Sequence, residues 1–233
     1  MDLILSGLGS ALVKLVTRDP AVMDAAAASL AVSGSATLLA VLTGIPLGAL
    51  IGLTRFPGRR LLLSLVNTGM GLPPVVVGLF VVVLIWRSGA FGGLDWYCTR
   101  QAMVVAQYLL AAPTVVGLTA IALQSADPLL RPQLLALGAS RWQAAWLLVQ
   151  EARVLVIGAA IAGFGAVISE VGASLMVGCN VQGDTRVLTT AITLETGKGE
   201  FGNAFAMSFI LLAIIFAVTA FMTYSQQRRP HLG

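Results

Sequence analysis

The sequence predicts an all-α, multi-pass membrane protein with about five transmembrane helices and room for a sixth. Three observations carry that prediction: only 10% of residues are charged, 58% are hydrophobic, and the apolar residues gather into windows of membrane-spanning length. A soluble domain carries roughly 25% charged residues. Composition therefore excludes an ordinary soluble enzyme, a disordered chain and a DNA-binding module. The net charge of +4 is a small excess and calls for no nucleic-acid partner. Two cysteines and one histidine exclude a disulfide framework or a Cys/His metal cluster.

A helix needs about 20 apolar residues to cross a hydrocarbon core roughly 30 Å thick. Five stretches meet this: Ser29 to Leu53, Leu61 to Trp86, Ala102 to Gln124, Val154 to Val177 and Ala204 to Tyr224. Backbone in lipid must satisfy its own hydrogen bonds, so the spans are expected to be helices. Residues 1–28 differ. Leu8, Leu12, Leu15 and Val16 recur at helical spacing beside Lys14 and Arg18, which reads as a helix lying on the membrane interface; the plain alternative is a frayed terminus.

Lys and Arg divide into two sides across these spans. Arg55, Arg59, Arg60, Arg131, Arg141, Arg153, Arg228 and Arg229 fall on one; Lys14, Arg18, Arg87, Arg100, Arg186 and Lys198 fall on the other. The first set is larger, so that side is expected in the cytoplasm, with the N-terminus outside and the C-terminus inside. Cys98 and Cys179 then share the outer side, where a disulfide is permitted. Nothing in the sequence brings them together, and free thiols are expected.

Several spans are not plain anchors. Gly44, Gly48 and Gly52 form overlapping G-x-x-x-G steps that let helix backbones approach closely. The second span contains Asn67-Thr68-Gly69-Met70-Gly71-Leu72-Pro73-Pro74. Two prolines remove two backbone donors, roughly 18 Å along the span. Broken backbone at that depth is tolerated where it lines a cavity or is buried in protein, so Gly71, Pro73 and Pro74 are candidate pathway residues; a simple kink is the alternative. Glu170 is the acid placed well inside a span, and intramembrane acids suggest function. It lies toward the outer face, where pairing with Arg186 would also account for it.

The stretch 125–152 is too polar to span and too regular for a linker. Asp127-Pro128 starts a helix with Leu129, Leu130, Leu134 and Leu137 on one face, and Gly138 ends it. Ser140 and Gln143 form a capping box for a second helix, with Trp142, Trp146 and Leu147 as its apolar stripe. Such a projection suits docking to a membrane surface or another protein.

This loop resembles the cytoplasmic loop of ABC importer permeases, whose pattern is E-A-A-x3-G-x9-I-x-L-P. Gly138 and Leu148 keep its spacing, with Leu134-Leu135-Ala136 just ahead of the glycine; the usual glutamate is absent and Gln150-Glu151 replaces the L-P ending. Downstream, Gln150 to Arg153, Ala162 to Gly165, Ile168-Ser169-Glu170-Val171-Gly172-Ala173, Met176 to Asn180 and Thr185 to Ile192 resemble tungstate-type permeases, with looser likeness to molybdate permeases. Cys179 stands where glycine is expected. The resemblance implies a type I ABC importer-like transmembrane domain over 29–224, with a coupling loop at 125–152, an outer loop at 178–202 and a cytoplasmic tail at 225–233. It implies that Ala136, Leu137, Gly138, Ala139, Ser140 and Arg141 meet a cytoplasmic ATPase dimer. An external anion-binding protein and a second copy of the chain are the other expected partners, beside the lipid bilayer. Pathway or gate positions then include Glu170, Gly172, Asn180, Thr185, Arg186 and Thr189. Arg186 either meets the anion or neutralises Glu170 or Glu195.

The chain lacks a G-x-x-x-x-G-K-[ST] run; Gly197-Lys198 is followed by Gly199. It is expected to be no enzyme and to bind no cofactor, with ATP used by the partner subunit. A secondary carrier using Glu170 for coupling, and a non-transporting scaffold, are the competing classes. A carrier needs a coupling acid and no docking loop, whereas a scaffold has no reason for Pro73-Pro74.

Overall fold

A computed structural model describes residues 2–227. Arg228, Arg229 and the rest of the tail expected at 225–233 beyond Gln227 lie outside the described residues. Those residues form helices α1 (Asp2–Val16), α2 (Pro20–Leu53), α3 (Arg59–Met70), α4 (Pro74–Ile85), α5 (Arg100–Gln124), α6 (Leu130–Ala136), α7 (Arg141–Glu151), α8 (Arg153–Ile168), α9 (Gly172–Gly178), α10 (Leu188–Gly197) and α11 (Phe201–Gln227), with no strand among them. The all-α prediction holds.

Three helices, α2, α5 and α11, are long and apolar enough to cross a membrane alone. The first expected span is the C-terminal part of α2, which starts at Pro20 rather than Ser29. Its start obeys ordinary capping chemistry: Asp19 accepts a hydrogen bond from the Ala21 amide at 3.0 Å, with Pro20 at the first helical position. At about 1.5 Å per residue this helix is near 50 Å long, well beyond a hydrocarbon core. Helix α1 packs along α11, where Lys14 Nζ donates to Asn203 Oδ1 at 2.8 Å. The close approach needs Gly7, because a Cβ there would meet Phe205 Cβ at 2.5 Å.

The second expected span is broken. Helices α3 and α4 meet at 101° across Gly71-Leu72-Pro73. Each half is about 18 Å long, too short to cross by itself. No residue of α3 is buried within the chain. The fourth span is also divided: α8 ends at Ile168, and α9 resumes at Gly172. The outer loop is partly helical, because Leu188 and Ala191 of α10 join a buried cluster with Phe164, Ile168, Ala206 and Ile210.

Helices α2 and α5 form the central pair. Added Cβ atoms at Gly44, Gly48 and Gly52 would meet Val115 Cγ1 at 2.9 Å, Thr119 Cβ at 2.7 Å and the Ala120 carbonyl at 3.0 Å. The G-x-x-x-G steps therefore do what their spacing predicts and bring two backbones together.

The bundle has two poles. One gathers the start of α5 and the end of α9: Cys98 N donates to the Val177 carbonyl at 3.0 Å, and Arg100 Nε donates to the Asp184 carbonyl at 2.8 Å. The other gathers the ends of α2 and α5 with α6: Arg59 Nε donates to the Ile51 carbonyl at 2.8 Å, and Arg131 Nη1 donates to the Leu53 carbonyl at 2.6 Å.

Gly48→Ala is expected to cost about 1–3 kcal/mol through overpacking against Thr119. Gly34→Ala, with nothing within 4 Å of the added methyl, should be neutral or slightly stabilising. Thermal unfolding of both variants in detergent checks this, and equal shifts would remove close approach as the reason for Gly48.

Candidate functional site

Glu170 is 6% exposed and sits in the break between α8 and α9. Its carboxyl group serves as the missing cap of α9. The Ala173 amide donates to Oε1 at 2.8 Å; the Ser174 amide and Ser174 Oγ both donate to Oε2 at 3.1 Å. From α5, Gln107 Nε2 donates to Ser174 Oγ at 3.0 Å. From α10, Thr189 Oγ1 donates to the Glu170 carbonyl at 3.0 Å. One buried polar seam thus joins α5, α8, α9 and α10. Gln107 is 1% exposed, and its Oε1 has no hydrogen-bond partner among the described residues.

The broken helix lies against this seam. A Cβ on Gly172 would meet Val75 Cγ2 at 2.7 Å and Glu170 Oε1 at 3.5 Å. One on Gly78 would meet Ala173 Cα at 2.8 Å. Gly71 closes α3, Pro73 is the cap of α4 and Pro74 its first residue, and all three are exposed on the single chain. The structure therefore brings Gly71, Pro73, Pro74, Gly172 and Glu170 into one neighbourhood, with Thr189 behind them.

Arg186 pairs with neither proposed acid. Its Nε donates to Asn180 Oδ1 at 3.2 Å, Nη1 to Gln182 Oε1 at 3.2 Å, and Nη2 to the Asn180 carbonyl at 3.3 Å. It braces the turn after α9, where Asn180 holds a left-handed backbone with φ 54°. Thr185 is part of the same turn, accepting from the Val181 amide at 2.9 Å and donating to the Gly178 carbonyl. Glu195 has its own partners, Lys198 Nζ at 2.8 Å and Asn203 Nδ2 at 3.4 Å. The hydrogen bond from Lys198 holds its carboxyl below the ordinary carboxylate range.

The cysteines correct a second expectation. Cys98 and Cys179 are joined as a disulfide with Cα atoms 5.1 Å apart. The residues are 81 positions apart in sequence, so only the folded path from α4 through α5 to α9 reveals the pairing. Both adopt left-handed backbone, φ 61° and 59°.

At the opposite pole, α6 and α7 form the predicted bent projection. Leu137 closes α6, Gly138 turns the chain with φ +89°, and Ser140 and Gln143 form the capping box. Asp127 holds the Leu129 amide at 2.8 Å, so the first helix starts at Leu130 rather than at Pro128. Ala144 and Leu148 face inward. Leu137, Trp142 and Trp146 are 85%, 86% and 63% exposed. Ala136, Ser140 and Arg141 are exposed beside them, with Ala139 half-buried.

A solved structure of the MetNI methionine ABC transporter in inward-facing conformations has the same fold, with a TM-score of 0.64 at 22% identity, covering 90% of this chain and 92% of that one. The family described as binding-protein-dependent transport system inner membrane component matches residues 44–230. The chain belongs to that family. Among related permeases, a probable anion ABC transporter permease protein of Haloferax volcanii is 39% identical over 88% of this chain and 90% of its own length. The tungstate uptake system permease protein TupB of Peptoclostridium acidaminophilum is 35% identical over 97% and 99%. The molybdenum transport system permease protein ModB of Escherichia coli K12 is 31% identical over 76% and 81%. Permeases of this family are transport components rather than enzymes, and this one is an inner-membrane protein with several apolar helices.

Sequence reasoning missed Gln107 and Ser174. Gln107 was legible as a lone amide within an apolar span; Ser174 carried no comparable signal. Glu170→Gln replaces an acceptor of three hydrogen bonds with a group holding one acceptor oxygen, and is expected to destabilise by about 1–3 kcal/mol. Combined with Arg186→Gln the losses should add within about 0.5 kcal/mol, because the two side chains do not touch; strong coupling in that cycle would restore the ion pair. Alkylation of the denatured permease should label both cysteines only after reduction.

Proposed function

We propose that this permease passes a tungstate-type oxyanion inward, with ATP hydrolysed by a separate cytoplasmic subunit and the anion delivered by an external binding protein. The observation that carries the reading is the projection of Leu137, Trp142 and Trp146 from a capped two-helix loop in a chain of this family. An apolar surface so exposed at a pole, outside the long helices, fits a partner protein. Two copies supply the pathway, since the Pro73-Pro74 break is open on one side of the single chain and needs a second wall. The pole bearing Arg55, Arg59 and Arg131 faces the cytoplasm in this reading, which leaves the N-terminus outside and the C-terminus inside. Candidate pathway groups are Gly71, Pro73, Pro74 and Gly172 at the break, with Glu170 and Thr189 positioning its neighbours. Asn180, Thr185 and Arg186 shape the outer entrance, where weak, repeated contacts favour passage over capture.

Tungstate and molybdate have the same charge and nearly the same size, so molybdate is the nearest alternative substrate. An ion-coupled carrier is less well supported, because the Glu170 carboxyl is engaged by three donors within its own turn.

Reconstituted permease should move labelled tungstate only with its ATPase and ATP present, and molybdate competition should rank the two anions. Uptake by the isolated chain under an ion gradient would reject the reading. Gly138→Val forces a β-branched residue into φ +89°; it should leave membrane insertion intact and abolish ATPase association. Replacing Pro73 and Pro74 with alanine should lower transport while preserving assembly. A parallel loss of both would make the break a packing device instead.

A further inference from the structure

A cavity of about 420 Å³ opens at the pole where α2 and α5 end. Arg55, Arg59 and Arg131 line it, as does Asp127. Two of these guanidinium groups are fixed by the last turn of α2: Arg59 through the Ile51 carbonyl and Arg131 through the Leu53 carbonyl. Each guanidinium carries five N–H donors, and these bonds use one apiece. No ion pair joins any of the three arginines to a carboxylate among the described residues. The acid in the wall, Asp127, spends Oδ1 on the Leu129 amide at 2.8 Å. Glu151 belongs with Asp127 to a neighbouring cavity that the arginines do not line.

The charges do not cancel. Three guanidinium groups face one carboxylate and the C-terminal ends of α2 and α5, each with a dipole equivalent to about half a negative charge. The cavity keeps an excess of roughly one positive charge. Capping carbonyls at the end of α2 would need one basic group, or two; the third, Arg55, makes no hydrogen bond among those described for this pole. The volume is within the usual range for a small-ligand site. Forked donors from several sides of a positive cavity suit an anion with several oxygens, such as a phosphate group, better than a neutral group.

We propose that this cavity binds a phosphate group, and that its occupant is the headgroup of an anionic membrane lipid. Helices α2 and α5 are both long enough to cross the membrane, and the cavity sits where they end together. Lipid phosphates lie at the ends of such spans, and basic pockets between membrane helices are suited to them. The site is separate from the Pro73-Pro74 break and does not depend on which anion the permease carries.

Native mass spectrometry of the full-length permease in detergent tests this with phosphatidylglycerol and phosphatidylcholine as probes. The wild-type protein should retain phosphatidylglycerol under activation that strips phosphatidylcholine. Arg55→Gln should weaken retention about fivefold without moving the unfolding midpoint, and Gln at all three arginines should abolish the preference. Where the triple variant does not fold, Arg55→Gln alone decides, as its side chain fixes no backbone. Excess inorganic phosphate separates the sources: unchanged lipid retention supports the headgroup, while displacement of the lipid by phosphate supports the same oxyanion site filled from solution. Equal retention of both lipids by the wild type, or equal phosphatidylglycerol retention by wild type and Arg55→Gln, overturns the proposal.

Discussion

Hydrocarbon offers no hydrogen bonds, so each interruption of a membrane helix must be satisfied by the chain itself. Two such interruptions, at Leu72-Pro73-Pro74 and at Ser169-Glu170-Val171, meet in the interior of the bundle. At Leu72-Pro73-Pro74 the demand is reduced at source, because Pro73 and Pro74 have no amide hydrogen. The Gly71 and Val76 amides find the Thr68 and Pro73 carbonyls at 3.0 Å. At Ser169-Glu170-Val171 the demand is met by a side chain: Glu170 takes the first amides of α9, while Ser169 Oγ donates back to the Gly165 carbonyl at 2.8 Å. The two breaks then abut because Gly172 carries no side chain against Val75. An acid inside a span is costly; here its acceptors replace the helix hydrogen bonds that the break removed.

What was legible in the sequence followed local rules. The lengths of α5 and α11, the Ser140–Gln143 capping box, the left-handed Gly138, the glycine steps facing α5 and the break at Pro73-Pro74 all depend on residues within a few positions of one another. The features that were not legible depend on distant partners. Cys98 meets Cys179 only after α5 has crossed the bundle and α9 has returned. Arg186 chose the near carbonyl and amide of Asn180 and Gln182 over a formal charge elsewhere, which chain-wide counting of acids and bases cannot foresee. The start of α2 is a different failure. Asp19-Pro20 is the same kind of signal as Asp127-Pro128, yet the alanine run behind it also fits an interfacial segment. Asp127-Pro128 itself begins a turn, three residues ahead of the helix proper.

The poles differ in how they are held. The one with Cys98 and Cys179 has a covalent tie, the Arg186 turn, and the Arg100–Asp184 pair at 3.2 Å. The last is exposed and contributes at most about 1 kcal/mol, so the disulfide and the turn dominate. The opposite pole is held by arginines on helix-end carbonyls and by the small cluster of Leu123, Leu148, Ala152 and Val156, while its tryptophans point outward.

Helix α9 is short, about 10 Å at 1.5 Å per residue, and it is fixed at both ends. Glu170 holds its first turn, and the disulfide holds the residue after its last. Along its length Ala173 and Met176 are in contact range of Gly78 on α4, with too little room for a methyl group between Gly78 and Ala173. Ser174 connects sideways to Gln107 on α5. A displacement of α4 at the Pro73-Pro74 break therefore cannot leave α9 in place without opening the Gly78–Ala173 contact, and α9 cannot shift without either drawing the start of α5 with it or breaking the seam at Glu170. Close-packed contacts of this kind switch between discrete arrangements rather than stretch. In such a geometry a movement of α4 at the break is passed to α9 through the Gly78–Ala173 contact, and from α9 to α5 through Ser174 and Gln107.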